Sequence, residues 1–265
     1  MFDRFTDRDL ATLAAAASTT VEELSARLRL QPWTVADLLS SDEVFDTVMD
    51  RQAHPAELVS PYLLFSVLVH RAASELRDAT FVNEWAGQKV RLPVFDIAGV
   101  HDFLTDPARM TFLARLLATF TGPVLLPVPV DDRFDLVSVA SWLDAVSDTD
   151  RIVLFERLGD IALFMSGVFP DATGSSWISP VDAERLGKTV DLDSAAILGL
   201  CDSLGLGGLD AYETLGSEWY RAVSTSRPAP MIADVSYRFR AARRVLNHVA
   251  DRYLFDIKPA FGFAA

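Results

Sequence analysis

Helix-starting side chains, spaced along most of the chain, constrain this sequence more than any other feature. Thr20 with Glu23, and Ser40 with Glu43, fit the capping box, in which a hydroxyl and a carboxylate three residues apart satisfy two backbone donors at a helix start. Ser60-Pro61, Asp106-Pro107 and Ser179-Pro180 each place a capping side chain before a proline, whose fixed φ suits the first helical position and which has no N–H to leave unsatisfied. Apolar residues then recur every three or four positions. Tyr62, Phe65, Val69, Ala72 and Leu76 predict a core-facing helix over 61–79, with Arg71, Glu75 and Arg77 off the stripe. Ile152, Phe155, Leu158, Ala162, Met165 and Phe169, widened by Val153, Leu154, Leu163 and Phe164, predict a central, largely buried helix over 151–169. Further helices are expected at about 7–17, 41–49, 97–104, 107–120, 135–146, 181–187, 192–204, 209–224 and 232–254.

Two stretches do not read as helix. Arg91–Phe95 and Val124–Val130 are apolar but interrupted by Pro93, Pro127 and Pro129, which fits extended segments or a short edge ribbon. The pattern therefore predicts a mainly α, multi-helix globular bundle with one short β ribbon. A small N-terminal helical segment is expected over 1–52 and a large helical domain over 56–265, with Arg51–Ser60 as the linker. Half of the residues are hydrophobic, enough for a sizeable core. Gly205, Gly207 and Gly208 follow a helix rather than a strand, so they read as a helix stop and turn, not a phosphate cradle.

The best apolar run, Tyr62–Val69, is closed by His70 and Arg71, well short of the roughly 18 to 20 residues a bilayer span requires. Met1–Asp9 alternates acid and base with no apolar stretch behind it, which does not read as a secretory signal. A soluble, cytoplasmic chain is the expectation, with no membrane partner. Cys201 is the single cysteine, which excludes an internal disulfide and predicts a buried small hydrophobe. The net charge of -13 repels phosphate backbones over the surface as a whole, although an Asp-rich, Lys-poor composition is also what a salt-adapted host produces.

That charge is segregated. Residues 227–265 carry six arginines and Lys258 against three aspartates, net +4, and the remainder is net -17. Within 232–254 the stripe Val235, Phe239, Ala242, Val245, Leu246, Val249 and Tyr253 should dock on the core, leaving Arg240, Arg243, Arg244 and Asn247 on the outward side. Arg240, Arg243 and Arg244 are then a candidate docking surface for an acidic partner or phosphate-bearing ligand, and replacing all three with Gln should leave the fold intact.

Between Val21 and Leu39 the sequence VEELSARLRLQPWTVADLL resembles the helix-turn-helix of prokaryotic transcription regulators. Leu24, Leu28, Leu30, Val35 and Leu38 stand where that motif carries the apolar residues joining its helices, and Ser25 supplies a small residue for close approach. Arg29 departs from it, because the motif usually has Gly at that turn position. The resemblance implies a wingless, all-helical reader whose second helix enters the major groove, with Gln31, Trp33 and Thr34 as candidate DNA contacts. Gln31 and Thr34 would read bases and Trp33 would pack, while Asp37 would face phosphates. Residues 1–52 carry five arginines against ten acids, which favours a packing or dimerisation module over DNA.

No catalytic set emerges. His54, His70, His101 and His248 include no pair at the i, i+4 spacing of a helical metal site, and His54 with Glu57 is the nearest approach to one. Ser175 and Ser176 lack the flanking glycines of a nucleophile elbow and read as loop. Asp131-Asp132 and Asp148 with Asp150 adjoin expected helix starts and read as capping groups. No cofactor or metal is expected. The sequence therefore favours a non-enzymatic interaction or regulatory protein that binds a protein partner or itself. The alternatives are a transcription regulator using residues 20–40, and a ligand-binding protein or enzyme with an apolar pocket around Phe155–Phe169.

Overall fold

The computed structural model describes residues 4–49, 59–87, 89–122, 136–175, 178–202 and 208–254. Among them are fifteen α-helices and one two-stranded antiparallel ribbon, so the fold is mainly α. Its contacts divide it into two units. One holds the described residues of Met1–Ala79, Leu104–Gly122 and Asp251–Ala264, and the other those of Thr80–Phe103 and Pro123–Ala250. Residues 4–49 thus share a unit with the 61–77 helix; of the expected linker Arg51–Ser60, residues 51–58 lie outside the described residues.

The first unit contains α1 (Asp7–Ala16), α2 (Val21–Leu30), α3 (Thr34–Leu39), α4 (Asp42–Val48), α5 (Pro61–Arg77) and, later in sequence, α7 (Pro107–Thr119). α5 is its centre, packed on α7, α4 and α3, with an unbroken buried run from Tyr62 to His70. Ser60 caps it by accepting from the Leu63 N–H at 3.1 Å, with Pro61 at the first position, and Asp106 with Pro107 starts α7 in the same way. The buried Asp9 ties α1 to this start, accepting from the Ser60 N–H at 2.8 Å and the Ser60 hydroxyl at 2.7 Å while closing a capping box with Thr6. Thr20 and Glu23 form the expected box at α2. At α4 the cap is Ser41, not Ser40, because Ser40 is still engaged in ending α3. Asp42 pairs with Arg71 of α5, and the Tyr253 hydroxyl donates to Glu75 at 2.5 Å.

The second unit begins with the ribbon β1 (Val82–Gly87) and β2 (Val90–Val94), in the register Val82 to Val94 and Glu84 to Leu92. Then come α6 (Ala98–Phe103), α8 (Leu136–Ala140), α9 (Asp148–Val168), α10 (Pro170–Ser175), α11 (Pro180–Lys188), α12 (Ser194–Asp202), α13 (Gly208–Ser226), α14 (Pro230–Tyr237) and α15 (Phe239–Val249); the chain continues as a π-helical turn, Ala250–Leu254, whose residues from Asp251 on belong to the first unit. β2 is the expected extended segment. Its partner is Val82–Gly87, and Val124–Val130 lies outside the described residues. Ser175, expected in a loop, ends α10, and Cys201, expected to be buried, is half-buried. The expected helix over 232–254 breaks at Arg238, which leaves helical geometry at φ -115° and ψ 22°.

α9 is the hub of this unit, packed on α13, α15, α10 and α8. Ser147 caps it, accepting from the Asp150 N–H at 3.2 Å and donating its hydroxyl to the Asp150 carboxylate at 2.7 Å, so the capping group is the serine and the carboxylate orients it. Two glycines set how closely its neighbours approach. A Cβ on Gly159 would lie 2.4 Å from the Tyr220 ring, which is anchored by its hydroxyl donating to Asp160 at 2.7 Å, and a Cβ on Gly167 would lie 2.6 Å from Leu246 Cβ. Gly159→Ala is therefore expected to destabilise by about 1 to 3 kcal/mol through overpacking, against a helix-propensity gain of about 1 kcal/mol. Gly99→Ala in α6, where a Cβ meets nothing within 4 Å, keeps the propensity gain alone. Thermal melts check this: if both variants gain stability equally, close packing at Gly159 is not a constraint.

Candidate functional site

The α2–α3 corner of the first unit carries the residues expected to touch DNA. Leu24, Leu28, Val35, Leu38 and Leu39 are buried, which seats α2 mainly on α1 and α3 on α4 and α5. The turn between the helices runs over 31–33, with the Thr34 N–H donating to the Gln31 carbonyl at 3.1 Å. Arg29 lies inside α2 with an ordinary helical φ, so the glycine that the resemblance asks for has no work to do here.

Two expectations for this corner are corrected. Leu30, placed among the residues joining the helices, is 79% exposed, and Trp33, expected to pack, is 69% exposed. The reason is periodicity: Leu24 and Leu28 are one turn apart on the inner face, and Leu30 falls on the far side of the helix. Gln31 is also exposed, whereas the Thr34 hydroxyl donates locally to the Gln31 carbonyl at 2.8 Å. Arg27 and Arg29 are exposed and form no ion pair among the described residues. The corner therefore presents two large apolar side chains flanked by two guanidiniums, while the outward face of α3 offers Asp37.

In the second unit, Arg240, Arg243 and Arg244 do not form one outward surface. Arg240 has an exposed side chain and pairs with Glu213 at 2.7 Å, but the side chains of Arg243 and Arg244 are only 3% and 9% exposed. α15 packs on α9 by one face and on the ribbon by another, so a two-sided count of polar and apolar positions misassigns it. The ribbon brings Glu84, which accepts from Arg243 at 2.8 Å and from Arg244 at 2.6 Å through the same oxygen. Glu213 adds a second carboxylate to Arg243 at 3.1 Å, and Arg244 also donates to the Asp96 carbonyl at 2.8 Å. Burial raises the affinity of Glu84 for a proton, but Arg244 and Arg243 outweigh it and hold the carboxyl below its ordinary range.

Asn247 completes this cluster. Its amide donates to the Ser166 and Gly167 carbonyls at 3.0 and 2.7 Å, satisfying acceptors that the last turn of α9 leaves open, and its oxygen accepts from Arg243 at 2.9 Å. Asp171 plays a similar part beneath the ribbon. It accepts from the Trp85 indole at 2.9 Å, the Lys89 N–H at 2.7 Å and Arg91 at 3.1 Å. Both carboxylates are engaged by arginines and help hold the fold, although the Asp171 side chain is still 40% exposed.

One opening in the second unit lies beside Phe155. It is a cleft of about 460 Å³ lined by Leu143, Phe155, Arg151, Arg185, Lys188 and Asp144 among others. Phe155 is half-buried there beside Arg151, Arg185 and Lys188, so this opening is cationic and amphipathic. His70, on the first unit's α5, is buried with no hydrogen-bond partner on Nε2. His54, Asp131 and Asp132 lie outside the described residues, and among the described ones no three His, Cys, Asp or Glu side chains gather in a way that could hold a metal ion. No helix of the described residues is long and apolar enough to cross a membrane. No family model, curated protein or solved structure matches the chain, so a reading of its function rests on these residues themselves.

Proposed function

We propose that this chain is a non-enzymatic interaction or regulatory protein that docks a protein surface at the α2–α3 corner. The observation that carries the reading is the exposure of Leu30 and Trp33 just after the exposed Arg27 and Arg29, none of which is engaged elsewhere in the described chain. A tryptophan costs little conformational entropy to immobilise and carries a large apolar area, which is why such residues dominate protein interfaces. The flanking guanidiniums favour an acidic rim on the partner, which a second copy of this acidic chain also offers.

The test uses a photo-crosslinker at position 33 in the cells that make the protein, with Val153, an exposed apolar position of the second unit, as the control site. A discrete adduct at 33 and none at 153 is expected, of either the chain with itself or the chain with a partner. Leu30→Ser in the crosslinker-bearing chain should remove it, and in the unlabelled chain Leu30→Ser with Trp33→Ser should weaken binding by about 2 kcal/mol or more, roughly thirtyfold, while stability changes by about 0.5 kcal/mol or less. A monodisperse monomer that yields no adduct at 33 would sink the reading.

A second reading, a transcription regulator, is favoured by the surface position of Gln31 and Trp33 beside α3. Against it stand Asp37 on the outward face and the Thr34 hydroxyl hydrogen already committed to Gln31. Binding of duplex DNA that falls steeply with salt and is lost in Gln31→Ala would move the assignment to this reading.

A further inference from the structure

We propose that the cleft formed by α8, the turn after it, α9 and α11 is a binding site for a small organic anion with an apolar or aromatic tail. The inference is independent of the corner and of its partner. Three cations line this cleft, Arg151 from α9 and Arg185 and Lys188 from α11, and Asp144 is the one carboxylate among its lining residues. In a chain of net charge -13, a concave surface with a local excess of +2 runs against the composition. Such a surface concentrates the field on whatever enters it.

The cations are not neutralised by strong internal pairs. The Arg151 Nε–H donates to the Leu143 carbonyl at 3.0 Å, which fixes the plane of the guanidinium. Its nearest carboxylate, Asp148, is 3.8 Å away and almost fully exposed, too far for a hydrogen bond. Arg185 forms no ion pair among the described residues, and Lys188 meets only Glu184 on the exposed face of its own helix, at 2.7 Å. Such a surface pair is worth at most about 1 kcal/mol and yields readily to a ligand. Arg185 and Lys188 also suit the C-terminal dipole of α11, but that role needs no opposing arginine from α9.

The walls are rigid and amphipathic. The Thr189 hydroxyl is held between the Trp219 indole at 2.7 Å and the Leu186 carbonyl at 2.6 Å, and Leu143 and Phe155 supply an apolar floor. A volume of about 460 Å³ is within the range of small-molecule sites and admits a ring with one charged head. The head, carboxylate or phosphate, lies against Arg185, Lys188 and the free edge of Arg151, and the tail lies on Phe155.

Titration calorimetry on the full chain with phenyl phosphate, benzoate, inorganic phosphate and phenol tests this. Phenyl phosphate or benzoate should bind saturably at one site, with the stronger of the two identifying the head group, and phenol should not bind. Inorganic phosphate should bind at least about tenfold more weakly than phenyl phosphate, for lack of a tail. Arg185→Gln with Lys188→Gln, both exposed and therefore harmless to the fold, should cut the affinity about tenfold or more. Phe155→Leu should weaken phenyl phosphate but not inorganic phosphate. No saturable binding by either aromatic anion, or affinities that the double variant leaves unchanged, would overturn the proposal.

Discussion

Replacing Glu84 with leucine is expected to cost about 3 to 5 kcal/mol of unfolding free energy, because it leaves a buried guanidinium without a carboxylate. Arg243 would retain Glu213 and Asn247, but Arg244, 9% exposed, would keep only the Asp96 carbonyl. Arg240→Gln, at a side chain 58% exposed, should cost at most about 1 kcal/mol, so the three arginines separate sharply by position. Adding Arg244→Leu to Glu84→Leu should recover much of the loss, since apolar replacement of both ends of a buried pair is often neutral or better. Urea unfolding of the parent, Glu84→Leu, Arg244→Leu and the double variant gives the coupling directly. Were Glu84→Leu to cost under about 1 kcal/mol, or the two losses simply to add, the pair would not be the unit of stability here. Acid should act on the same pair: the folded carboxyl sits below its ordinary 4.5, so its contribution is whole above that pH and fades as pH falls toward the depressed value.

This cluster also shows where sequence reasoning stops. The helices were legible because caps and apolar spacing are local: Thr20, Ser60, Asp106 and Ser179 all cap where their neighbours say they should. The hub role of α9 was legible too, since its apolar residues cover more than one face. β1 was not, because Asn83, Glu84 and Gly87 carry little strand propensity and the segment becomes a strand only through pairing with β2. Once that ribbon exists it delivers Glu84 to α15 from more than 150 residues away, and two arginines that look like surface become interior. Nothing within 232–254 encodes a distant carboxylate. The cleft was hidden for the same reason, as Arg151 and Arg185 meet only in the fold, whereas the two helices of the α2–α3 corner were visible from apolar spacing, with Leu30 and Trp33 placed among the packing residues though both are exposed.

The first unit should lose stability in a higher pH range, through His70. This imidazole is buried in the middle of α5 without a partner for Nε2, and burial, aided by the positive charge of Arg77, pushes its pKa from 6.5 down to about 4. The unfolded chain therefore binds the proton more readily than the folded one. Stability from the neutral ring is complete above about pH 6.5 and is lost progressively as pH falls toward 4, reaching about 3 kcal/mol for a shift of this size. His70→Leu keeps an apolar group of similar bulk in place and removes the titration. Its unfolding free energy should stay nearly level from pH 7 to 4.5 while that of the parent chain falls, so that the variant overtakes the parent in mild acid. Hydrogen exchange of the α5 amides at pH 7 and 5 locates the effect, because the parent should exchange faster at the lower pH after correction for the intrinsic rate, and the variant should not. Parallel pH profiles for the two proteins would show that His70 gains a partner or a path to water on protonation, and the buried neutral imidazole would have to be abandoned.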